Sequence, residues 1–256
     1  MKSFDTVILG SGYFSIGYAI NAKNTLIIER TQLADPNFGG TLSGFTFNAS
    51  SEWTNETQSL YRYYLDKKIV SGFHMNSSVS EVGLCAYIEK RNLNILLGTE
   101  CIGIKKLDEG YEITVINNGG HDRLLCKKIL DTRYLNGKRY LNVLCRGNSD
   151  EIAFGKPENF EFAVTGAFET EEYVTEFEFS DGVNVNISKA EALRYLGKSF
   201  AERGTQIVQC AYTMHASRLL PAFEYGEIIG VRELSFGDAF AAFDAGVRLW
   251  RGRYDV

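Results

Sequence analysis

The sequence predicts an α/β protein: a parallel central sheet fed by a glycine turn, with a small antiparallel, β-rich (α+β) domain inserted into it. Three observations carry this. Residues 5–29 run as apolar strand, Gly10-Ser11-Gly12, small-residue helix, second apolar strand and Glu29. Lys128-Ile129-Leu130-Asp131 reads as a strand returning to the same sheet. Residues 139–187 then change character to several short β-rich stretches before a last, largely apolar helix around 238–246.

The first unit has a chemical reading. Val7, Ile8 and Leu9 form the apolar run of a strand. Gly10 permits the tight turn that follows, and Gly12 lets backbone N–H groups approach phosphate oxygens with no Cβ in the way. Ser15 stands where such loops carry a third glycine, and Gly17 and Ala19 keep the helix slim against the sheet. Glu29 lies 19 positions past Gly10, where a carboxylate accepts from ribose hydroxyls; an acid there suits an unphosphorylated ribose. The order points to a Rossmann-like dinucleotide site with a pyrophosphate over the helix N-terminus. The alternative is an ordinary strand–helix–strand unit with a glycine turn.

Arg30 and a loop lead to Phe38-Gly39-Gly40-Thr41. Trp53, Leu60, Tyr61, Tyr64 and Leu65 fall at helical spacing, and Ser78 with Glu81 makes a capping box for a helix carrying Val82, Cys85, Ala86 and Ile88 on one side. Asn92–Leu97 reads as a strand, Ile102–Ile104 and Tyr111–Val115 alternate, and Asn117-Asn118-Gly119-Gly120 turns into a third alternating segment. In the β-rich part the expected strands are Tyr140–Cys145, Phe160–Val164, Tyr173–Phe179 and Val183–Ile187, with Asp181-Gly182 as a hairpin turn. Ser188 and Glu191 suggest a second capping box, for a helix ending near Gly204, before a strand over Thr205–Ala211. The expected division is a nucleotide-binding domain of residues 1–134 and 226–256, with residues 135–225 as an inserted cap over the substrate. Asp238 is placed to cap the buried C-terminal helix. A positive dipole end and a carboxylate at one point suit a polyol chain and an electron-rich ring oxygen, or simply a capped core helix.

Composition narrows the partners. The 256 residues carry a formal charge of −5 and no long Lys/Arg run, which argues against nucleic acid or an anionic membrane surface as partner. No apolar stretch reaches the length of a membrane span. A strand begins almost at Met1, so a cytoplasmic protein without a secretory leader is expected. Five widely spaced cysteines (85, 101, 126, 145 and 210) read as reduced thiols rather than a disulfide framework. His74, His121 and His215 are scattered, with no metal-type clustering.

Together these pieces resemble FAD-dependent oxidoreductases of the glutathione-reductase-like superfamily, and within it small members that lack a separate nicotinamide domain. Gly10–Ala19 (GSGYFSIGYA) resembles the pyrophosphate loop, Glu29-Arg30 with Gly39-Gly40-Thr41 the adenosine-ribose acid and its following glycine pair, Asn94–Cys101 the segment whose backbone touches adenine, and Gly237-Asp238 the motif whose aspartate bonds the ribityl chain. The resemblance implies FAD, held by Gly10, Gly12, Tyr13, Phe14, Ser15, Glu29, Arg30, Gly40, Thr41, Glu100, Cys101, Gly237, Asp238 and Phe240. It also implies that the last helix points its N-terminus at the flavin pyrimidine. One departure stands at the return strand, where the family carries Ala-Thr-Gly and this chain Asp131-Thr132-Arg133; the chain is also shorter than most members.

The implied activity is oxidation of a C–N or C–O centre in a small molecule, or the reverse reduction. No second glycine fingerprint follows a strand, so electrons would leave to oxygen, a quinone or a protein partner. His215 is the candidate proton acceptor, with Tyr212, Arg218 and His74 beside it as substrate-side candidates and Cys210 read as packing. Two alternatives stay open. One is a flavin-binding subunit completed by a partner chain or a second copy, with Trp53, Tyr61, Arg62, Tyr63 and Tyr64 as contact surface rather than core. The other is an NAD-using enzyme similar to the thiazole synthases.

Overall fold

The structure, a computed structural model, describes residues 1–40, 46–133, 139–147, 161–167, 172–179, 185–200, 206–211, 215–216, 222–225, 228–231, 236 and 238–252. In chain order the first elements are β1 (Lys2–Leu9), α1 (Tyr13–Ala19), β2 (Thr25–Ile28), α2 (Asn55–Asp66), β3 (Val70–Ser71), β4 (His74–Met75), α3 (Ser77–Arg91) and β5 (Asn94–Leu96). There follow β6 (Glu100–Lys106), β7 (Tyr111–Asn117), β8 (Gly120–Asp131), β9 (Arg139–Arg146), β10 (Glu161–Ala167) and β11 (Glu172–Phe179). The remainder is α4 (Val185–Phe200), β12 (Gln206–Cys210), β13 (His215–Ala216), β14 (Ala222–Tyr225), β15 (Ile228–Val231) and α5 (Ala239–Trp250).

The α/β architecture read from the sequence is present. Strand β1 lies at the middle of the main sheet, parallel to β2 on one side and β8 on the other; β5 extends the parallel pairing beyond β2, and β15 extends it beyond β8. Side chains alternate across this sheet with the period of two that strand geometry imposes. Ile8, Ile27 and Leu130 enter one core with the helices, while Val7, Leu9, Leu26, Ile28 and Ile129 enter another with Ile113, Val115 and Leu124 of the β7–β8 hairpin. Both faces of the central strands are therefore covered, which is why they read as unbroken apolar runs. The third alternating segment and the return strand are one 12-residue strand, β8. Its first half pairs antiparallel with β7 and its second half parallel with β1.

A second sheet has the order β10-β11-β9-β12, with β13 also on β9, all antiparallel. The chain then returns to the main sheet through β14 and β15. Over the described part of the strand expected at Val183–Ile187 the chain is helical instead, since Val185 already opens α4; residues 181–184, with the Asp181-Gly182 turn, lie outside the described residues. Alternating Val183, Val185 and Ile187 imitate a strand in the sequence, while Ala192 and Leu196, one helical turn apart, are buried on α4. Ser188 is accordingly inside α4 and does not cap it.

Helix α3 also departs from its reading. Ser78 is helical, and the buried stripe is Ser80, Gly83, Leu84, Tyr87 and Ile88, leaving Val82 and Cys85 exposed. Gly83 lies on this buried face, where a Cβ would crowd the Ile69 side chain. The aromatic segment before and within α2 packs inward. Phe240 of α5 has the rings of Phe47, Trp53, Tyr61 and Tyr64 at 4.8, 5.3, 5.6 and 5.8 Å. Tyr64 is thus fully buried in this chain's own core, and the half-buried Trp53 and Tyr61 pack against it. No described helix is long and apolar enough to cross a membrane. All five cysteines are free; Cys126 and Cys145 are buried, and Cys85 is exposed.

Candidate nucleotide-binding site

The site is built where three parallel strands end together. Leu9 is in register with Ile28 on one side and with Asp131 on the other. The segments that follow, Gly10–Gly12, Glu29–Thr31 and Thr132-Arg133, therefore emerge side by side at the carboxyl edge of the sheet, where open α/β sheets place ligands.

The glycine turn is held from several directions. Gly10 has φ +98° and Gly12 φ +156°, a backbone region that side chains rarely tolerate. A Cβ on Gly10 would collide with Thr132 Oγ1. Gly12 is the N-cap of α1 and no side chain caps that helix start. Ser15, fully buried, donates its hydroxyl to the Gly10 carbonyl at 2.9 Å. The serine in place of a third glycine thus ties down the turn from inside the helix. Ser11 Oγ donates to the Ala34 carbonyl at 2.6 Å, and Asn37 Nδ2 donates to the Ser11 carbonyl at 3.3 Å.

Glu29 is buried beside this turn. Its Oε2 accepts from the Ser11 amide at 2.9 Å and its Oε1 from the Thr31 amide at 2.8 Å. Its own backbone joins β5: the Glu29 amide donates to Leu96 O and its carbonyl accepts from Thr99 N, each at 2.9 Å. The segment 94–101 is thereby brought up to Glu29, although Glu100 is exposed and Cys101 half-buried. Arg30, next to Glu29, is exposed.

At the end of β8 side chains replace a glycine turn. Asp131 accepts from the Arg133 amide at 3.0 Å, and its two oxygens accept from the Arg133 guanidinium at 3.0 and 2.9 Å. The bidentate pair folds Arg133 back over its own turn.

The loop after Glu29 contains an acidic pair that the sequence reading missed. Glu81, on α3, accepts from the Ala34 and Asp35 amides at 2.6 and 2.9 Å rather than closing a capping box. Asp35, fully buried, accepts from the Phe38 and Gly39 amides at 2.9 and 2.6 Å. Burial pushes the Asp35 carboxyl up to about 7 against those amides, with the neighbouring Glu81 adding to the rise. Gly39 and Gly40 close this turn: a Cβ on Gly40 would lie 2.7 Å from the Pro36 carbonyl oxygen. Asp35-Pro36-Asn37 is a turn sequence and was the available signal for it.

The remaining expected residues separate. The Tyr13 side chain points into the core, its hydroxyl 2.9 Å from that of Tyr64. Phe14 stacks on Phe236 at 5.7 Å, which joins the segment leading to Asp238 with the start of α1. Phe240 is core, so for these three only backbone groups remain to meet a ligand. Asp238 caps α5 as expected, its Oδ1 accepting from the Ala241 amide at 2.8 Å. Burial raises its carboxyl pKa, opposed by the amides of Ala241 and Phe240. His215 sits on β13 of the second sheet, paired through its backbone with Tyr140. His74 is half-buried in the β3–β4 hairpin. Thr41, Tyr212, Arg218 and Gly237 lie outside the described residues. Among the described residues no group of His, Cys, Asp and Glu is arranged to hold a metal ion.

No protein-family model matches the sequence, and no curated protein matches it significantly. Solved structures share its fold. The p-nitrophenol 4-monooxygenase of Pseudomonas putida DLL-E4 aligns with 100% of this chain and 82% of its own, with a TM-score of 0.58 at 11% identity. The anhydrotetracycline hydroxylase of Streptomyces rimosus aligns with 98% of this chain at a TM-score of 0.62 and 14% identity. Aklavinone-11 hydroxylase, solved as a ternary complex with FAD and aklavinone, aligns with 98% at a TM-score of 0.56 and 12% identity. This chain spans 62% of the length of each of the two hydroxylases. The likeness at these identities is one of fold: the chain has the Rossmann-like α/β architecture that these enzymes share.

Proposed function

We propose that this chain is an FAD-dependent oxidoreductase acting on a small molecule. On this reading the cofactor's pyrophosphate lies over Gly10–Gly12, its adenosine ribose beside Glu29, and its ribityl chain toward Asp238. One observation supports this above the others. The positive-φ glycine turn and the buried Glu29 carboxylate are joined through the Ser11 amide at the carboxyl edge of the sheet. Each carboxylate oxygen has a second lone pair, so Glu29 can accept from ribose hydroxyls while it still holds the turn. A glycine N-cap leaves the start of α1 uncovered by any side chain, which fits a phosphate approaching the backbone.

Bound FAD supplies the two-electron redox chemistry; the chain's residues hold, orient and manage protons. Arg30, Glu100, Cys101, Gly40 and Thr41 belong to the adenosine end of this reading, and Gly237 to the flavin end. Ser15 acts through the turn it fixes. His215 is the proton acceptor to test, on a cap formed by residues 135–225. The structures that share the fold include a p-nitrophenol monooxygenase and two hydroxylases. Hydroxylation, in which oxygen gives one atom to the substrate and the other to water and an external two-electron donor such as a reduced nicotinamide re-reduces the flavin, therefore takes precedence over C–N or C–O oxidation when substrates are screened.

The test is the visible absorption spectrum of the purified protein, with mass spectrometry of what heat releases. A yellow protein releasing FAD is expected. Gly12→Val is expected to retain no flavin, since its side chain would stand against the pyrophosphate; far-UV circular dichroism checks that the chain remains folded, because Gly12 has φ +156°. A protein that is colourless and takes up no added FAD overturns the reading, as does normal flavin content in Gly12→Val.

A further inference from the structure

Strand β8 ends at Asp131 and the chain runs on through Thr132 and Arg133, where the resemblance implies a glycine turn. A long side chain that replaces glycine beside a ligand either obstructs the ligand or helps to hold it. The turn is stitched to the end of β1: the Thr132 amide and hydroxyl both donate to the Leu9 carbonyl, at 2.8 and 3.1 Å. Arg133 is thereby fixed against the glycine turn, and a Cβ on Gly10 would stand 3.1 Å from Arg133 Cγ.

Its guanidinium is placed by Asp131 and Cys101. Asp131 takes the Nε and Nη2 donors side by side at 3.0 and 2.9 Å, which fixes the plane of the group. Burial raises the Cys101 thiol pKa, and the charge of Arg133 and a hydrogen bond from it act against that rise, so the thiol lies within reach of the guanidinium. Cys101 in turn closely follows Thr99, whose amide donates to the Glu29 carbonyl. Arg133 therefore spans from Gly10, at the pyrophosphate loop, to the segment beside Glu29, at the adenosine end. Along this path 34% of its side chain is exposed.

Charge and shape suit different uses. The Asp131 carboxylate offsets the charge that a phosphate would seek. Hydrogen bonds made in the plane of a guanidinium leave its flat face for stacking on a ring. We propose that Arg133, held in plane by Asp131, stacks its guanidinium on the adenine of the bound dinucleotide and so favours a purine base. This rests on the flavin reading above and names the side chain that holds the base.

FAD release from the purified protein, followed by the rise in flavin fluorescence on dilution, is the first measurement. Arg133→Lys keeps a cation without a plane, and Arg133→Gly restores the residue that the resemblance implies. Both are expected to release FAD about tenfold faster than wild type. Asp131→Asn keeps an acceptor for the Arg133 amide but frees the guanidinium charge. It too is expected to release FAD faster, because the plane is no longer held, whereas a phosphate clamp would release it more slowly. ADP and UDP, which differ only in the base, are then compared by the shift in Tm of protein from which FAD has been released. Wild type is expected to favour ADP by about tenfold, and Arg133→Lys to favour it much less. Unchanged release in Arg133→Lys would assign the role to charge and overturn the proposal. Slower release in Arg133→Gly would make Arg133 an obstruction, and slower release in Asp131→Asn would make it a phosphate ligand; either overturns the proposal, as does an equal ADP preference in wild type and Arg133→Lys. All of these leave the flavin reading standing. A protein that takes up no FAD overturns that reading instead, and the ADP–UDP comparison then decides the role of Arg133 by itself.

Discussion

Helix α5 meets its two neighbours in opposite ways. Against α1 the contact is glycine on backbone from both sides: a Cβ on Gly17 of α1 would collide with the Phe243 carbonyl oxygen, and one on Gly246 of α5 with that of Phe14. Against α2 it presents charge. Asp244 accepts from the Thr54 amide at 2.7 Å and from the Thr54 and Thr57 hydroxyls at 2.8 Å each, and it pairs with Arg248. Arg251 and Asn21 meet on Glu56 beside it. The α1 contact is backbone on backbone, so its geometry admits no adjustment. The α2 contact is made by side chains whose rotamers can give. The difference teaches where the candidate site takes its rigidity: α1, capped at Gly12, and α5, capped at Asp238, are locked to each other by the face that cannot yield.

The sharpest way to break that comparison is to place a side chain on the rigid face. Gly246→Val puts branched carbon into the Phe14 carbonyl, and no rotamer relieves it. Thermal unfolding is expected to show a loss of about 3 kcal/mol or more, at or beyond the upper end for overpacked cores, together with flavin loss because α1 moves. An unchanged Tm in Gly246→Val would show that the two helices can separate freely.

The polar face is expected to yield less. Asp244→Ala leaves the Thr54 and Thr57 donors and Arg248 without their acceptor, at a cost of about 1–3 kcal/mol. Flavin content is expected to stay near normal, because α1 and its glycine contact are untouched. Burial raises the Asp244 pKa, but Arg248, Thr54 and Thr57 outweigh burial and hold it below the usual carboxylate range. Its stabilisation is therefore present above the unfolded pKa and lost as pH falls through the lower folded one. If Asp244→Ala released flavin as fully as Gly246→Val, the two faces would be equivalent.

These interfaces also show how much the sequence disclosed. The glycine turn, the placing of Glu29 and the Asp238 cap were legible because each depends on residues close in sequence and on a backbone conformation that few residue types allow. The slim flank of α1 was legible for the same reason, although its counterpart Gly246 could be found only by knowing what packs there. Asp244 gave no signal, since its partners at 54 and 57 are set by tertiary contact. The α3 face was misread because its buried stripe contains Ser80 and Gly83, which carry no hydrophobic signal, while the exposed side carries valine and cysteine. Glu81 satisfied a local capping pattern but found a better use in the amides of Ala34 and Asp35, 47 and 46 residues away.

The smallest effect separates two buried carboxylates by sign. Asp35 and Asp244 both accept from backbone amides, yet only Asp244 has a guanidinium. Asp35 has Glu81 instead, and burial carries its pKa from 3.8 up to about 7. A raised acid binds its proton more tightly folded than unfolded. Its contribution to stability is thus fullest below the unfolded pKa of 3.8 and declines as pH rises through about 7. Asp35→Asn removes the titrating proton while keeping a carbonyl for the Phe38 or Gly39 amide. Denaturant unfolding of wild type between about pH 5 and about pH 7.5, a window that spans the raised pKa, should show stability declining with pH. The Asp35→Asn variant should give a flatter profile and a gain over wild type at the upper end. Identical slopes would mean that Asp35 stays ionised throughout and that the Phe38 and Gly39 amides compensate fully for its burial.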